Sequence, residues 1–193
     1  MPQTFHGTEL LKDFKWFSEP IHFELNEQHL VIKPEANTDF WQRTHYGFQV
    51  DNGHFLYKEV SGDFQLTTKV HTKPVNRYDQ AGLMVRVSKD TWIKSSVEYI
   101  PNEANKLGAV VTNNGYSDWS TQDFEEDQSA LYFRMKKVGQ DYSLYYSIDG
   151  EKWKQLRIAH LFTEEETVQI GIYACSPQGE GYEASFEFVE IQQ

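Results

Sequence analysis

The segment Tyr78–Tyr99, Y-D-Q-A-G-L-M-V-R-V-S-K-D-T-W-I-K-S-S-V-E-Y, gathers more side chains able to bind or react than any other stretch of the chain. Period-two alternation reads it as two β-strands with unlike faces. Leu83, Val85, Val87, Ile93, Val97 and Tyr99 make a core face. Met84, Arg86, Trp92, Lys94, Ser96 and Glu98 make a face too charged for a core and too rich in large side chains for an ordinary surface. With Lys89-Asp90-Thr91 as the turn, the register sets Arg86 opposite Lys94 and Met84 opposite Ser96. Two cations facing each other across strands repel. They call for carboxylates, with Glu98 and Asp79 available in the same segment, or for an anionic or polyhydroxyl ligand. A network of internal ion pairs on a solvated face is the competing account.

A second group lies in T-D-F-W-Q-R-T-H-Y. Read as one strand, Phe40–Tyr46, it places Asp39, Trp41, Arg43 and His45 on one face and Phe40, Gln42, Thr44 and Tyr46 on the other. The first set has the makings of a ligand platform, an aromatic plane beside hydrogen-bonding groups. A third group, V-T-N-N-G-Y-S-D-W-S, reads as a turn-rich loop presenting Asn113, Tyr116, Asp118 and Trp119. Cys175, the single cysteine, has no neighbour in sequence that would activate a thiolate and reads as a buried, inert thiol. No G-x-S-x-G, H-E-x-x-H, Walker A or G-x-G-x-x-G string occurs, and no histidine has a partner at metal-ligand spacing. No cofactor and no metal are expected. The contiguous acids Glu125-Glu126-Asp127 and Glu164-Glu165-Glu166 point in different directions and read as solvated charge.

The elements that must position these groups are strands. Alternation recurs from Ile21 to the C-terminus, with thirteen candidate strands and turn signals such as Ser61-Gly62, Val138-Gly139 and Asp149-Gly150. Only Gly7–Phe14 and Thr163–Glu166 suit short helical turns. Many short strands with regular turns mean a sandwich or barrel, and 193 residues suit one domain, 1–193, with an adequate core. A formal charge of −11 argues against nucleic acid and anionic membranes as partners. One cysteine, no apolar run long enough to span a bilayer and no signal-like N-terminus point to a cytoplasmic protein.

Several segments taken together, T-D-F-W-Q-R-T-H-Y-G-F, D-N-G-H-F, D-Q-A-G-L-M-V-R-V-S-K-D-T-W-I-K-S-S-V-E-Y, V-V-T-N-N-G-Y-S-D-W-S and Y-A-C-S-P, resemble a bacterial and fungal family of unknown function. The family has a concanavalin A-like lectin/glucanase sandwich and includes a fungal regulator of enolase. The resemblance covers roughly Phe14 to the C-terminus. It implies an all-β, two-sheet antiparallel jelly roll whose concave sheet holds a ligand, and it transfers no catalytic residues. Glucanases of this fold carry E-x-D-x-x-E on one strand, and this chain has no such string. The residues matching the family's polar positions are Asp39, Trp41, Arg43, His45, Asp79, Gln80, Arg86, Trp92, Lys94, Glu98, Asn113, Tyr116, Asp118 and Trp119. Three functions are expected in turn: a non-catalytic domain binding a carbohydrate or small anionic metabolite; a regulator binding a metabolic enzyme through the same face; and a sugar-active hydrolase or isomerase using Glu98, Asp79 and His45 as acids and bases.

Overall fold

The computed structural model describes residues 10–26, 28–125 and 130–193. Among these, sixteen strands follow one 3-10 turn at Leu10–Asp13. In chain order they are β1 (Lys15–Phe17), β2 (His22–Leu25), β3 (Leu30–Lys33), β4 (Phe40–Gln42), β5 (Gln49–Asp51), β6 (His54–Ser61), β7 (Phe64–Lys73), β8 (Gln80–Ser88), β9 (Thr91–Glu98), β10 (Asn105–Asn113), β11 (Tyr116–Phe124), β12 (Ala130–Val138), β13 (Asp141–Ser147), β14 (Lys154–His160), β15 (Thr167–Cys175) and β16 (Glu183–Gln192). They form two seven-stranded antiparallel sheets, β1-β6-β15-β8-β9-β10-β11 and β14-β13-β12-β7-β16-β3-β2, and a separate β4-β5 hairpin. The result is the jelly-roll sandwich expected.

Alternation builds the core. Leu83, Val85, Ile93, Leu107, Ile170 and Ile172 of the first sheet meet Leu66, Val70, Phe133, Met135, Leu144 and Phe186 of the second, all buried. The opposite face of the first sheet is not left to solvent. The β4-β5 hairpin lies over it, packing Phe40 and Trp41 against Phe55, Met84, Trp92 and Tyr173 in a second apolar cluster. Full burial of a side chain such as Phe40 contributes about 1.5–3 kcal/mol, so seating the hairpin against the cost of ordering its backbone takes the whole cluster.

Several expectations are corrected. The Phe40–Tyr46 strand stops at Gln42, because Arg43 and His45 take left-handed backbone (φ 56° and 62°) and the chain reverses into β5. The β8-β9 turn is two residues, Lys89-Asp90, with a bulge after Arg86. Met84 therefore pairs with Lys94 and Arg86 with Trp92, so the two cations are not opposed. The loop expected after Val111 is the β10-β11 hairpin, turning at Asn114-Gly115. The Asp149-Gly150 turn is part of a longer loop, in which Asp149 Oδ1 accepts from the Glu151 and Lys152 N–H groups. Thr163–Glu166 is not helical; the Thr163 hydroxyl accepts from the Glu165 N–H instead. Of Gly7–Phe14 only the 3-10 turn falls on described residues, and most of Glu125–Asp127 lies outside them.

Three glycines, Gly82, Gly108 and Gly171, lie on the hairpin-covered face of the first sheet. A Cβ at Gly171 would enter the Leu56 carbonyl, one at Gly82 the Ser95 carbonyl and one at Gly108 the Ser120 carbonyl. Neighbouring backbone thus curls over this face, which makes it the hollow side. Gly171→Ala is expected to destabilise the fold by about 1–3 kcal/mol, the usual cost of overpacking, measured as a lowered urea midpoint with an unchanged slope. A midpoint unchanged from wild type would show that the sheet flattens at no cost.

Candidate functional site

A cleft of about 350 Å³ opens on the hollow side, between the β4-β5 hairpin, the β9-β11 strands and the loops bearing Asn37 and Gln178. Lys94, Glu98 and Gln80 form its floor, Trp41, Tyr46, Phe48 and Val50 one wall, and Tyr78 and Trp119 the other. Its volume suits a small ligand. A larger cavity, about 560 Å³, lies among the core residues Val70, Ala81, Val97 and Phe133; its rim runs through Glu125 and Ala130, at the edge of the described residues, and it gathers no comparable set of groups.

The floor is organised around a buried ammonium. Lys94 is only 2 % exposed, and its Nζ donates to Asp39 Oδ1 at 3.0 Å. It lies 5.7 Å from the ring centroids of both Trp92 and Tyr173. Burial disfavours its charge, but Asp39 chiefly outweighs that and holds the lysine above its ordinary pKa. Asp39 is itself fixed. Its N–H donates to Asn52 Oδ1 at 2.9 Å, and its Oδ1 also accepts from the Phe40 N–H at 2.8 Å. Gln80 accepts from the Tyr173 hydroxyl at 3.0 Å and donates to the Tyr78 carbonyl at 3.2 Å. Glu98 differs from these. Burial first, and the Asp39 carboxylate as well, push its pKa up to about 8 against the opposing pull of Lys94. At neutral pH the floor therefore holds one cation, one anion and one protonated carboxyl, which sum to no net charge.

The walls are aromatic. Trp41 Nε1–H donates to the Thr44 carbonyl at 3.0 Å, which fixes the indole. Tyr46 stacks on Phe48 with centroids 5.8 Å apart and meets Trp41 edge-on at 5.5 Å. Tyr46 and Phe48 remain 50 % and 48 % exposed, so the rim is open. Tyr78 meets Trp119 edge-on at 6.4 Å. Backbone strain is concentrated here: Asn37 and Tyr78 line the cleft at φ 59° and 68°, and Arg43 and His45 form the hairpin turn. Positive φ is costly for a bulky residue such as Tyr78. It is held there by the Tyr78 N–H donating to the Tyr99 carbonyl at 2.7 Å.

Of the residues singled out in the sequence, Asp39, Trp41, Gln80, Lys94, Glu98 and Trp119 line this cleft. The others lie elsewhere. Trp92 is fully buried beneath the hairpin, its Nε1–H donating to the Lys89 carbonyl at 3.1 Å. Arg43 donates to the Gly115 carbonyl at 2.7 Å and lies 5.7 Å from the Tyr116 ring, tying the hairpin turn to the β10-β11 turn. His45 is exposed and packs on Tyr46. Arg86 pairs with Asp51 at 2.8 Å and covers the Phe17 ring. Neither Glu98 nor Asp79 is the counter-charge of Lys94 and Arg86 that the sequence suggested; Asp39 and Asp51 are. Asp79 is structural: its carboxylate accepts from the Val75 and Asn76 N–H groups and from the Ser176 hydroxyl. Asn113 holds the chain at His160 and Phe162, and Asp118 pairs with Arg157 at 3.0 Å. Cys175 is buried, and burial pushes its thiol well up, away from reactivity. Sequence reasoning missed Tyr46, Phe48 and Tyr78. The available signal was Gly47 in H-Y-G-F, whose φ of 75° completes the turn that reverses the wall.

The raised Glu98 pKa has a consequence for stability. The folded state keeps the proton that the unfolded chain releases near 4.5, so stability falls as pH rises from about 4.5 to about 8 and then levels. At about 1.4 kcal/mol per pKa unit, the change is measurable by urea denaturation. Glu98→Gln is expected to flatten that part of the profile and to be more stable than wild type at pH 9, relative to their difference at pH 5; parallel profiles would refute the assignment.

A curated protein from Saccharomyces cerevisiae, Regulation of enolase protein 1, is 31 % identical over 171 residues, covering 89 % of this chain and 85 % of its own. A crystal structure of a functionally unknown protein from Saccharomyces cerevisiae superposes with a TM-score of 0.87 at 29 % identity, over 94 % of this chain and 97 % of that one. The xylan beta-1,4-xylosidase from Bacillus halodurans is similar at a TM-score of 0.78 and 16 % identity, over all of this chain and 39 % of that protein, which is a likeness of fold alone. Residues 16–193 match the DUF1349 family, described as proteins of unknown function, and the chain belongs to that family.

Proposed function

We propose that this chain is a non-catalytic binding domain whose cleft takes a small, neutral polyhydroxyl ligand, a sugar or sugar-like metabolite. The observation that carries this reading is the pairing of aromatic walls, open at Tyr46 and Phe48, with a buried hydrogen-bonding floor in which Lys94 is already paired with Asp39. Sugar rings present C–H faces that lie against Trp and Tyr, and hydroxyl edges that both donate and accept. Asp39 accepts, the protonated Glu98 donates and accepts, and Lys94 donates. An anionic metabolite is disfavoured, because Arg86 does not share the cleft and Lys94 is already neutralised by Asp39. Acid–base catalysis finds little support, since neither Asp79 nor His45 lines the cleft with Glu98.

Calorimetric titration with a panel of mono- and disaccharides, and their phosphates as controls, tests this. Trp119→Ala and Tyr46→Ala are each expected to weaken binding about tenfold, the loss of roughly 1.4 kcal/mol of stacking and burial, with the β-sheet circular dichroism spectrum retained. If no neutral sugar binds, the proposal fails.

A second reading has its own observation. The relative named Regulation of enolase protein 1 supports a regulatory role through a metabolic enzyme, and the exposed Tyr46 and Phe48 at the rim are the residue types that anchor protein interfaces. Purified enolase retained stoichiometrically by the wild type, but not by a Tyr46→Ala/Phe48→Ala variant, would favour this reading over a sugar ligand.

A further inference from the structure

We propose that His29, His71 and Glu187, on the outer face of the second sheet, form a binding site for a divalent transition metal ion, with zinc the best match. One ligand atom from each lies within 4.8 Å of the others. His71 is on β7, Glu187 on β16 and His29 immediately before β3, and these are three adjacent strands of one sheet. The site is independent of the cleft, which lies on the other sheet.

The local structure explains how three residues so far apart in the chain converge. The β16-β7 register shifts between Phe186 and Phe188, so Glu187 is the extra residue of a β-bulge. A bulge re-aims its side chain, and such features recur beside functional sites. Here Glu187 Oε1 lies 2.7 Å from His71 Nε2. On the other side, Asn26 Oδ1 accepts from the His29 N–H at 2.8 Å, pinning the turn that delivers His29. The two imidazoles stand edge to face with centroids 5.7 Å apart. That arrangement lets one nitrogen from each ring turn toward a common point near the carboxylate.

Ligand chemistry selects the ion. Two imidazoles and one carboxylate suit zinc and its neighbours, whereas calcium and magnesium require oxygen ligands. All three residues are half-buried, which leaves a fourth position to water. Lys69 competes: its Nζ donates to Glu187 Oε1 at 2.7 Å. In that same position the ammonium lies 5.3 Å from the centre of the Tyr132 ring, a contact it keeps when a metal takes the carboxylate. The spacing of histidines in the sequence carries no hint of this site, because the ligands come from strands that meet only in the sheet.

Titration of tag-free protein with zinc chloride, followed by calorimetry, tests the proposal, with magnesium and calcium chloride as controls. One equivalent of zinc is expected to bind and neither control to bind. His71→Ala and Glu187→Gln are each expected to weaken zinc binding at least about tenfold, since even loss of an outer-shell partner costs that much. Lys69→Met is expected to tighten it by removing the competing cation. His45→Ala, at an exposed histidine outside the site, is expected to leave it unchanged. Absence of zinc binding by the wild type, or binding that a His29→Ala/His71→Ala variant retains in full, would overturn the proposal. Circular dichroism of each variant confirms that the sheet is intact when the comparison is made.

Discussion

A lysine ammonium buried against a sheet must find a counter-ion or lose its charge, and this demand at Lys94 organises the hairpin-covered side of the molecule. The partner it finds, Asp39, immediately precedes β4. Arg86 makes the same demand on the neighbouring strand, and its partner, Asp51, ends β5. The two aspartates thus flank the small hairpin at its base, with Asp51 directly opposite Phe40 in register. Each of these two cations is tied to one leg of the hairpin. Removing either partner of such a pair strands an uncompensated charge, typically at a cost of about 3–5 kcal/mol. Hairpin, aromatic cluster and cleft therefore depend on these two ion pairs together.

The same arrangement explains the character of Glu98. Lys94, already paired with Asp39, offsets only part of the cost of burying a second carboxylate on that floor. Glu98 keeps its proton into neutral pH, and the floor presents donors and acceptors without net charge. Field strength gives way to hydrogen-bond directionality, which is what discrimination among uncharged hydroxylated molecules requires.

Much of this was legible in the sequence. Alternation located most strands of both sheets and separated the two faces of β8 and β9, because side-chain direction in a strand is a local property. It also selected Asp39, Trp41, Lys94 and Glu98, which do meet, while turn chemistry pointed to Trp119, which joins them. Legibility ended where the backbone left the extended region. Alternation carried through Arg43 and His45 put Tyr46 on the wrong face, since two left-handed residues reverse the chain there. A shorter turn and a bulge moved Arg86 off Lys94, as a small change in turn length rewrites every cross-strand pair. Asp79 looked like a site residue because it is acidic and adjacent to the hairpin; two of its hydrogen bonds come from the turn just before it, and the third, from Ser176, depends on distant chain that no local pattern encodes.

The hairpin divides its labour along its length. Its base carries the anchoring aspartates and Phe40, while its tip, Arg43–Phe48, carries the open rim of the cleft. Rewriting the tip leaves both ion pairs in place and changes the contacts that Arg43 makes to Gly115 and Thr44 makes to Trp41. A change confined to this six-residue loop alters the rim of the cleft while Lys94 and Arg86 keep their partners at the base.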